Sequence, residues 1–132
     1  MGSVVHMSIV RTEERKIEII QGLLTSNNIM INKALIKNIG TTPATLFTVL
    51  CHKQEFCERN KLLYRGHFEY SYIGCKRELG LHRTEQDIAI RILTELGLVE
   101  TMIRTVKNDS KKRYFKITDN IRLVNSFLKE NL

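Results

Sequence analysis

Arg83, Gln86 and Arg91 fall within one short stretch, "HRTEQDIAIR", and are side chains that pair with base edges, arginine with guanine and glutamine with adenine. Thr84, Asp87 and Ile90 share the stretch, and an exposed isoleucine can touch a thymine methyl. Glu85 and Asp87 argue the other way, because carboxylates repel phosphates, although they also suit the positive end of a helix. An apolar Ile90 outside the main apolar arc equally fits packing against a neighbouring element or a dimer partner. A second group follows. From Ile103 to Lys116 come Arg104, Lys107, Lys111, Lys112, Arg113 and Lys116 against Asp109 alone, a local balance of +5. At a hairpin tip such long cationic chains, with Ser110 among them, can straddle phosphates or enter a minor groove. The competing reading is a sheet edge guarded by lysines against strand pairing. Lys76 and Arg77, a little upstream, can add anchoring to a phosphate backbone.

Other chemistry finds less support. Cys51, His52, Cys57, His67, Cys75 and His82 are the residues a metal or a thiol nucleophile would recruit, but their spacings match no zinc pattern. Cys51 and Cys75 fall on expected helices, where a small buried thiol is ordinary. No phosphate-loop pattern, no dinucleotide fingerprint and no HExxH occurs. Neither an enzyme nor a metal or other cofactor is expected. Tyr64, Phe68, Tyr70 and Tyr72 are able to stack on unpaired bases, yet their alternation favours the core. Three cysteines without a CxxC argue for a reducing compartment. No apolar run approaches the ~20 residues of a membrane span, and the start lacks a secretory apolar segment, so a cytoplasmic location without membrane contact is the expectation.

The elements that position these side chains come from a chain of 132 residues, 42% of them hydrophobic, enough for one ordinary core. Lys plus Arg number 21 against 14 Asp plus Glu, and the balance of +7 makes a polyanionic partner a reasonable expectation. "MGSVVH", residues 1–6, reads as a tag remnant ahead of Met7, leaving residues 7–132 as one domain. Ile17, Ile20 and Leu24 have helical spacing, and "TSNN" ends that helix. "IMI" at 29–31 fits either a strand or a lead-in; Asn32 then caps "KALIKNI", closed by Gly40. Thr42 as N-cap with Pro43 at the first helical position opens "PATLFTVLCHKQEF", with Leu46, Phe47, Leu50 and Phe56 toward the core.

"HFEYS" alternates and predicts a brief strand with Phe68 and Tyr70 on one face. Ser71 caps "YIGCKREL", which stops at Gly80; Thr84 caps the next helix, followed by Gly97. On a helical wheel Ile88, Ala89, Ile92, Leu93 and Leu96 form one arc, taken as its buried face. "LVETMIRTV" and "RYFKIT" predict a hairpin around "KNDSKK", and Thr118 or Asp119 caps a last helix, 119–132, with Ile121, Val124, Phe127 and Leu128 on one face. The fold class expected is mainly α with a small antiparallel β hairpin. Helix, strand, helix, tight turn, helix, hairpin is the order of a winged helix-turn-helix, here with extra N- and C-terminal helices.

"INKALIKNIGTTPATLFTVL", "HFEYSYIGCKRELGLHRTEQDIAIRILTELGLVE" and "KKRYFKI" resemble, in order and approximate spacing, the N-terminal winged-helix domain of replication proteins from phages and plasmids of Gram-positive bacteria, such as replisome organisers and the DnaD-like class. The resemblance spans roughly residues 29–118. It implies a module that binds origin or operator double-stranded DNA, often as a homodimer or higher oligomer, with Arg83, Gln86, Asp87 and Arg91 on the DNA-facing helix and Lys111, Lys112 and Arg113 on the wing. Ile88 and Ile92 make this helix more apolar than the family would suggest. A repressor or a partition adaptor of the same fold uses the same residues. So does a winged helix that docks replication or partition proteins without reading DNA.

Overall fold

Two units divide the chain, residues 1–30 and 31–132. A computed structural model describes residues 12–21 and 28–119. In the first unit residues 12–21 form a helix, α1, on which Ile17, Ile19 and Ile20 are exposed. Residues 1–6, Leu24, Thr25 to Asn27 of "TSNN" and the expected last helix beyond Asp119, with Ile121, Val124, Phe127 and Leu128, lie outside the described residues.

Residues 28–32, across the boundary between the units, are in no regular element, so "IMI" is a lead-in and not a strand. Asn32 holds extended backbone and its side chain accepts from the Ala34 and Leu35 N–H groups, at 2.8 and 3.2 Å, starting α2 (Lys33–Ile39). Gly40, at φ +93°, ends α2 and at once begins α3 (Thr41–Arg59). The expected cap at Thr42 is therefore corrected: Thr42 and Pro43 sit inside the first turn, where a proline without N–H costs no helical hydrogen bond. Leu46, Phe47 and Leu50 are buried as expected, whereas Phe56 is exposed.

β1 (Phe68–Glu69) follows, with Phe68 and Tyr70 both buried. Ser71 caps α4 (Tyr72–Leu79) by accepting from the Gly74 N–H at 3.0 Å, and Gly80 in the left-handed region ends it. After Leu81, α5 (Arg83–Glu95) begins at His82, whose N–H donates to Glu85 Oε1 at 3.1 Å. Thr84 is thus within the helix rather than at its cap. Glu85 serves the position three residues on, where a carboxylate can reach back to the orphan N–H.

β2 (Val99–Thr105) and β3 (Lys111–Ile117) form an antiparallel hairpin, and β3 lies between β2 and β1. Its register pairs Val99 with Ile117 and Thr105 with Lys111, so β3 begins two residues earlier than "RYFKIT" suggested. The tip is a short 3-10 turn, Lys107–Asp109, closed by the Val106 N–H donating to the Ser110 carbonyl at 2.8 Å. The described residues are therefore mainly helical with a small three-stranded antiparallel sheet.

Strand alternation separates the two sheet faces. Val99, Phe115, Ile117 and Phe68 face α3 and α5 and build the core with Leu46, Leu50, Ala89 and Leu93. Gln54 of α3 is the polar member of that layer. Its Oε1 accepts the Ile117 N–H at 2.6 Å and its Nε2 donates to Glu58 at 3.3 Å, pinning the end of β3 to the helix beneath it. Gln54→Ala strands a buried backbone donor, so urea unfolding should show a loss of about 1–3 kcal/mol with an unchanged m value. A midpoint equal to that of the parent would refute this role for Gln54.

Candidate nucleic-acid interface

α5 turns a different face inward from the one its apolar spacing suggests. Gln86, Ala89 and Leu93 are buried, with Ile90 packed against the core beside them. Ile88 is 49% exposed and Leu96 is exposed as well, so the arc of Ile88, Ala89, Ile92, Leu93 and Leu96 is corrected by roughly one position around the helix. The reason is polar. Gln86, only 1% exposed, donates from Nε2 to the Tyr72 carbonyl at 3.1 Å and the Leu81 carbonyl at 2.9 Å, and accepts at Oε1 from Arg113 Nη2 at 2.9 Å. Three good hydrogen bonds make burial of an amide affordable, and with Gln86 inside, Ile90 follows four residues later.

Arg113 is the other half of this arrangement. It is 6% exposed, and its Nε donates to the Tyr70 carbonyl at 2.9 Å, while the Tyr70 N–H donates to the Arg113 carbonyl at 3.0 Å. The guanidinium carbon lies 3.8 Å from the Tyr72 ring centroid and 4.9 Å from that of Phe115. No carboxylate lies within 4.0 Å of it among the described residues. Nη1 is buried without a hydrogen-bond partner, so the negative ring faces of Tyr72 and Phe115 supply the electrostatic compensation there.

These positions correct three expected contacts. Gln86 and Arg113 hold the interior together and offer no edge to a nucleic acid, and Ile90 packs inward as its alternative reading had it. The signal for Gln86 was present in its spacing: Gln86, Ala89, Ile90 and Leu93 follow a helical repeat once a buried polar residue is allowed into it. Its partner, 27 residues away in sequence, is not a local signal.

The outward stripe of α5 consists of Thr84, Asp87, Ile88, Arg91 and Glu95, with Arg83 at its start. Ile88 is the apolar member of this stripe that the sequence reading placed inside. The Arg83 guanidinium lies 4.6 Å from the Tyr72 ring centroid, and the Tyr72 hydroxyl donates to Asp87 Oδ1 at 2.6 Å. Asp87 is thereby engaged within the protein. Arg91 is 4.0 Å from Glu95 with both side chains mostly in water, a pair that adds little to stability. Two cations and three carboxylates, Glu85, Asp87 and Glu95, leave α5 itself with no positive excess.

The positive excess sits on the hairpin. Lys107 and Ser110 are exposed at the tip, and Lys111 is exposed on β3 with the alternation of Arg113, on the face of the sheet that meets the helices. Lys112 takes the opposite face, in register with Arg104 and 3.8 Å from Glu69. The expected trio Lys111, Lys112 and Arg113 is thus divided three ways. Lys76 and Arg77 are exposed in the last turn of α4, where cations also suit the negative helix end.

Behind the stripe, Tyr70 donates to Glu78 Oε2 at 2.9 Å and Lys53 Nζ lies 3.0 Å from the same oxygen. Burial, more than any neighbour, pushes the Tyr70 phenol and the Cys75 thiol above their ordinary values. Both are neutral at pH 7, and Cys75 is no poised nucleophile. Among the described residues no three His, Cys, Asp or Glu side chains gather as a metal set, and no helix is long and apolar enough to cross a membrane. No family model, curated protein or solved structure matches the chain.

Two outcomes follow from this chemistry. Arg113→Met leaves the Gln86 and Tyr70 oxygens without their charged donor, and should cost about 1.5–3 kcal/mol for each bond in denaturant unfolding; a loss under about 0.5 kcal/mol would show the guanidinium to be incidental. The native protein also keeps the Tyr70 and Cys75 protons that the unfolded chain releases above about pH 8.5 to 10. Stability should therefore be full below that window and decline as pH rises through it, and Tyr70→Phe should flatten part of the slope. A parent chain equally stable at pH 7 and pH 10.5 would contradict the assignment.

Proposed function

We propose that this chain is a double-stranded DNA-binding protein of winged-helix type, in which α4 and α5 act as the helix-turn-helix and the β2–β3 hairpin as the wing. The observation that carries the reading is the Gln86–Arg113 link, because it fixes the exposed stripe of α5 and the cationic hairpin within one rigid body. A major groove admits one α-helix, and an adjacent hairpin can then reach the flanking backbone. In this arrangement Arg83 and Arg91 are the base-reading candidates, Thr84 and Ile88 add polar and methyl contacts, and Lys107, Ser110 and Lys111 hold phosphates. Lys76 and Arg77 anchor a neighbouring stretch of backbone.

The role in replication or maintenance of a phage or plasmid element is proposed from the resemblance set out above. A homodimer, two recognition helices about one DNA turn apart, suits a symmetric site. Repression or partition is the alternative role for the same surface. A second reading has an observation of its own: Ile73 is 70% exposed on α4 and Ile88 half exposed on α5, and α5 lacks a positive excess. Those features suit a partner protein rather than a polyanion.

Titrating random and operator-like duplex at several salt concentrations separates the two. Cationic phosphate contacts lead to a steep loss of affinity with rising salt, and Lys107→Ala with Lys111→Ala should lower the slope of log K against log salt by about 2 on every sequence. Arg91→Ala should relax specificity by about 1–3 kcal/mol at one base pair and leave random duplex nearly unaffected. Absence of duplex binding at low salt would reject the double-stranded DNA reading.

A further inference from the structure

The sheet face turned away from α3 and α5 is not used by the duplex reading. Tyr114 of β3 points to that side and is nonetheless buried, because the turn at residues 64–67 lays Tyr64 over it with ring centroids 5.8 Å apart. Tyr64 remains partly exposed, with the Arg104 guanidinium 4.0 Å and that of Arg65 5.4 Å from its centroid. Lys112 and Lys116 share this face; the first is near Glu69 and the second pairs in register with Glu100. Lys116, Arg65 and Arg104 have no carboxylate within 4.0 Å among the described residues.

We propose that this face binds a single-stranded nucleic acid, with phosphates on Arg65, Arg104 and Lys112 and a base plane against the Tyr64–Arg104 stack. Three observations favour that ligand. Arginine planes on a tyrosine offer the surfaces on which unpaired bases stack, which an acidic peptide does not need. A three-stranded face is too broad for a major groove that admits a helix or a two-stranded ribbon. Arg65 is also held at φ +50°, directly before Gly66 at φ +76°, in a two-residue turn closed by both Tyr64–His67 hydrogen bonds. Asparagine or glycine adopts that conformation with less strain, and strained residues gather at binding sites.

The test measures fluorescence anisotropy of a labelled oligo-dT and a labelled random duplex with the full chain at low salt. The variant is Arg104→Gln with Arg65→Gly, since glycine satisfies the turn and the fold is kept. Loss of one stacking and two phosphate contacts should weaken oligo-dT binding about tenfold or more, while duplex affinity stays within twofold of the parent. Tyr64→Leu, which still covers Tyr114, should weaken oligo-dT binding in the same direction. An oligo-dT affinity unchanged in both variants overturns the proposal, and so does a parent that does not bind oligo-dT. Equal losses on both ligands also overturn it, by assigning Arg65 and Arg104 to the duplex site. If instead duplex binding fails and oligo-dT binding persists, the winged-helix DNA reading falls and this one stands.

Discussion

A guanidinium placed inside the protein without a carboxylate beside it sets the geometry of everything around it. Removing such a charge from water costs several kcal/mol, and here the return comes from two neutral carbonyl oxygens and two ring faces. Each of those groups belongs to a different part of the chain: the residue after β1, the start of α4, the first turn of α5 and β3 itself. Gln86 extends the reach, since its amide donates to the carbonyl of Tyr72 at the start of α4 and to that of Leu81 in the turn after it. Hairpin, first helix and second helix are thereby fixed to one another through two side chains. Apolar packing alone is non-directional and would leave their relative rotation less sharply defined.

Charge and shape are consequently separated over the surface. α5 carries mixed signs and short-range features, a guanidinium on an aromatic ring, an isoleucine, a threonine, whereas the unbalanced cations lie on the hairpin and on the outer sheet face. Long-range attraction of a polyanion would come from the latter, because potentials outside the protein follow net charge and not individual contacts. Discrimination would rest with the former. Such a division leaves α5 little affinity of its own for arbitrary phosphate, a property that suits selective recognition.

Elements whose ends are set by neighbouring residues were legible in the sequence. Asn32 with Gly40 and Ser71 with Gly80 bracket their helices as expected, because a cap depends on atoms three or four residues away. The hairpin and the inward Phe68 and Tyr70 were legible for the same reason, alternation being local. Where two local signals competed, the weaker looking one won: Gly40 already turned the chain, so α3 started ahead of Thr42 and Pro43. The face of α5 was not legible. Ile88, Ile92 and Leu96 have as good a spacing as Gln86, Ala89 and Leu93, and the choice is made by a buried donor on a strand far along the chain. The same long-range contact hid Arg113 among the lysines of a cationic run.

The strict alternation of β3 also bears on how this protein can vary in evolution. Between Val106 and Ser110 one backbone hydrogen bond closes the tip, so that segment can gain or lose residues and the strands on either side keep their pairing. From Lys111 onward no such freedom exists. One residue inserted or deleted there would carry Lys112 or Tyr114, respectively, into the slot that fits a planar five-donor cation, and turn the core side chains Phe115 and Ile117 to the opposite sheet face. Hairpins of different length but identical phase in β3 are the relatives that this architecture allows.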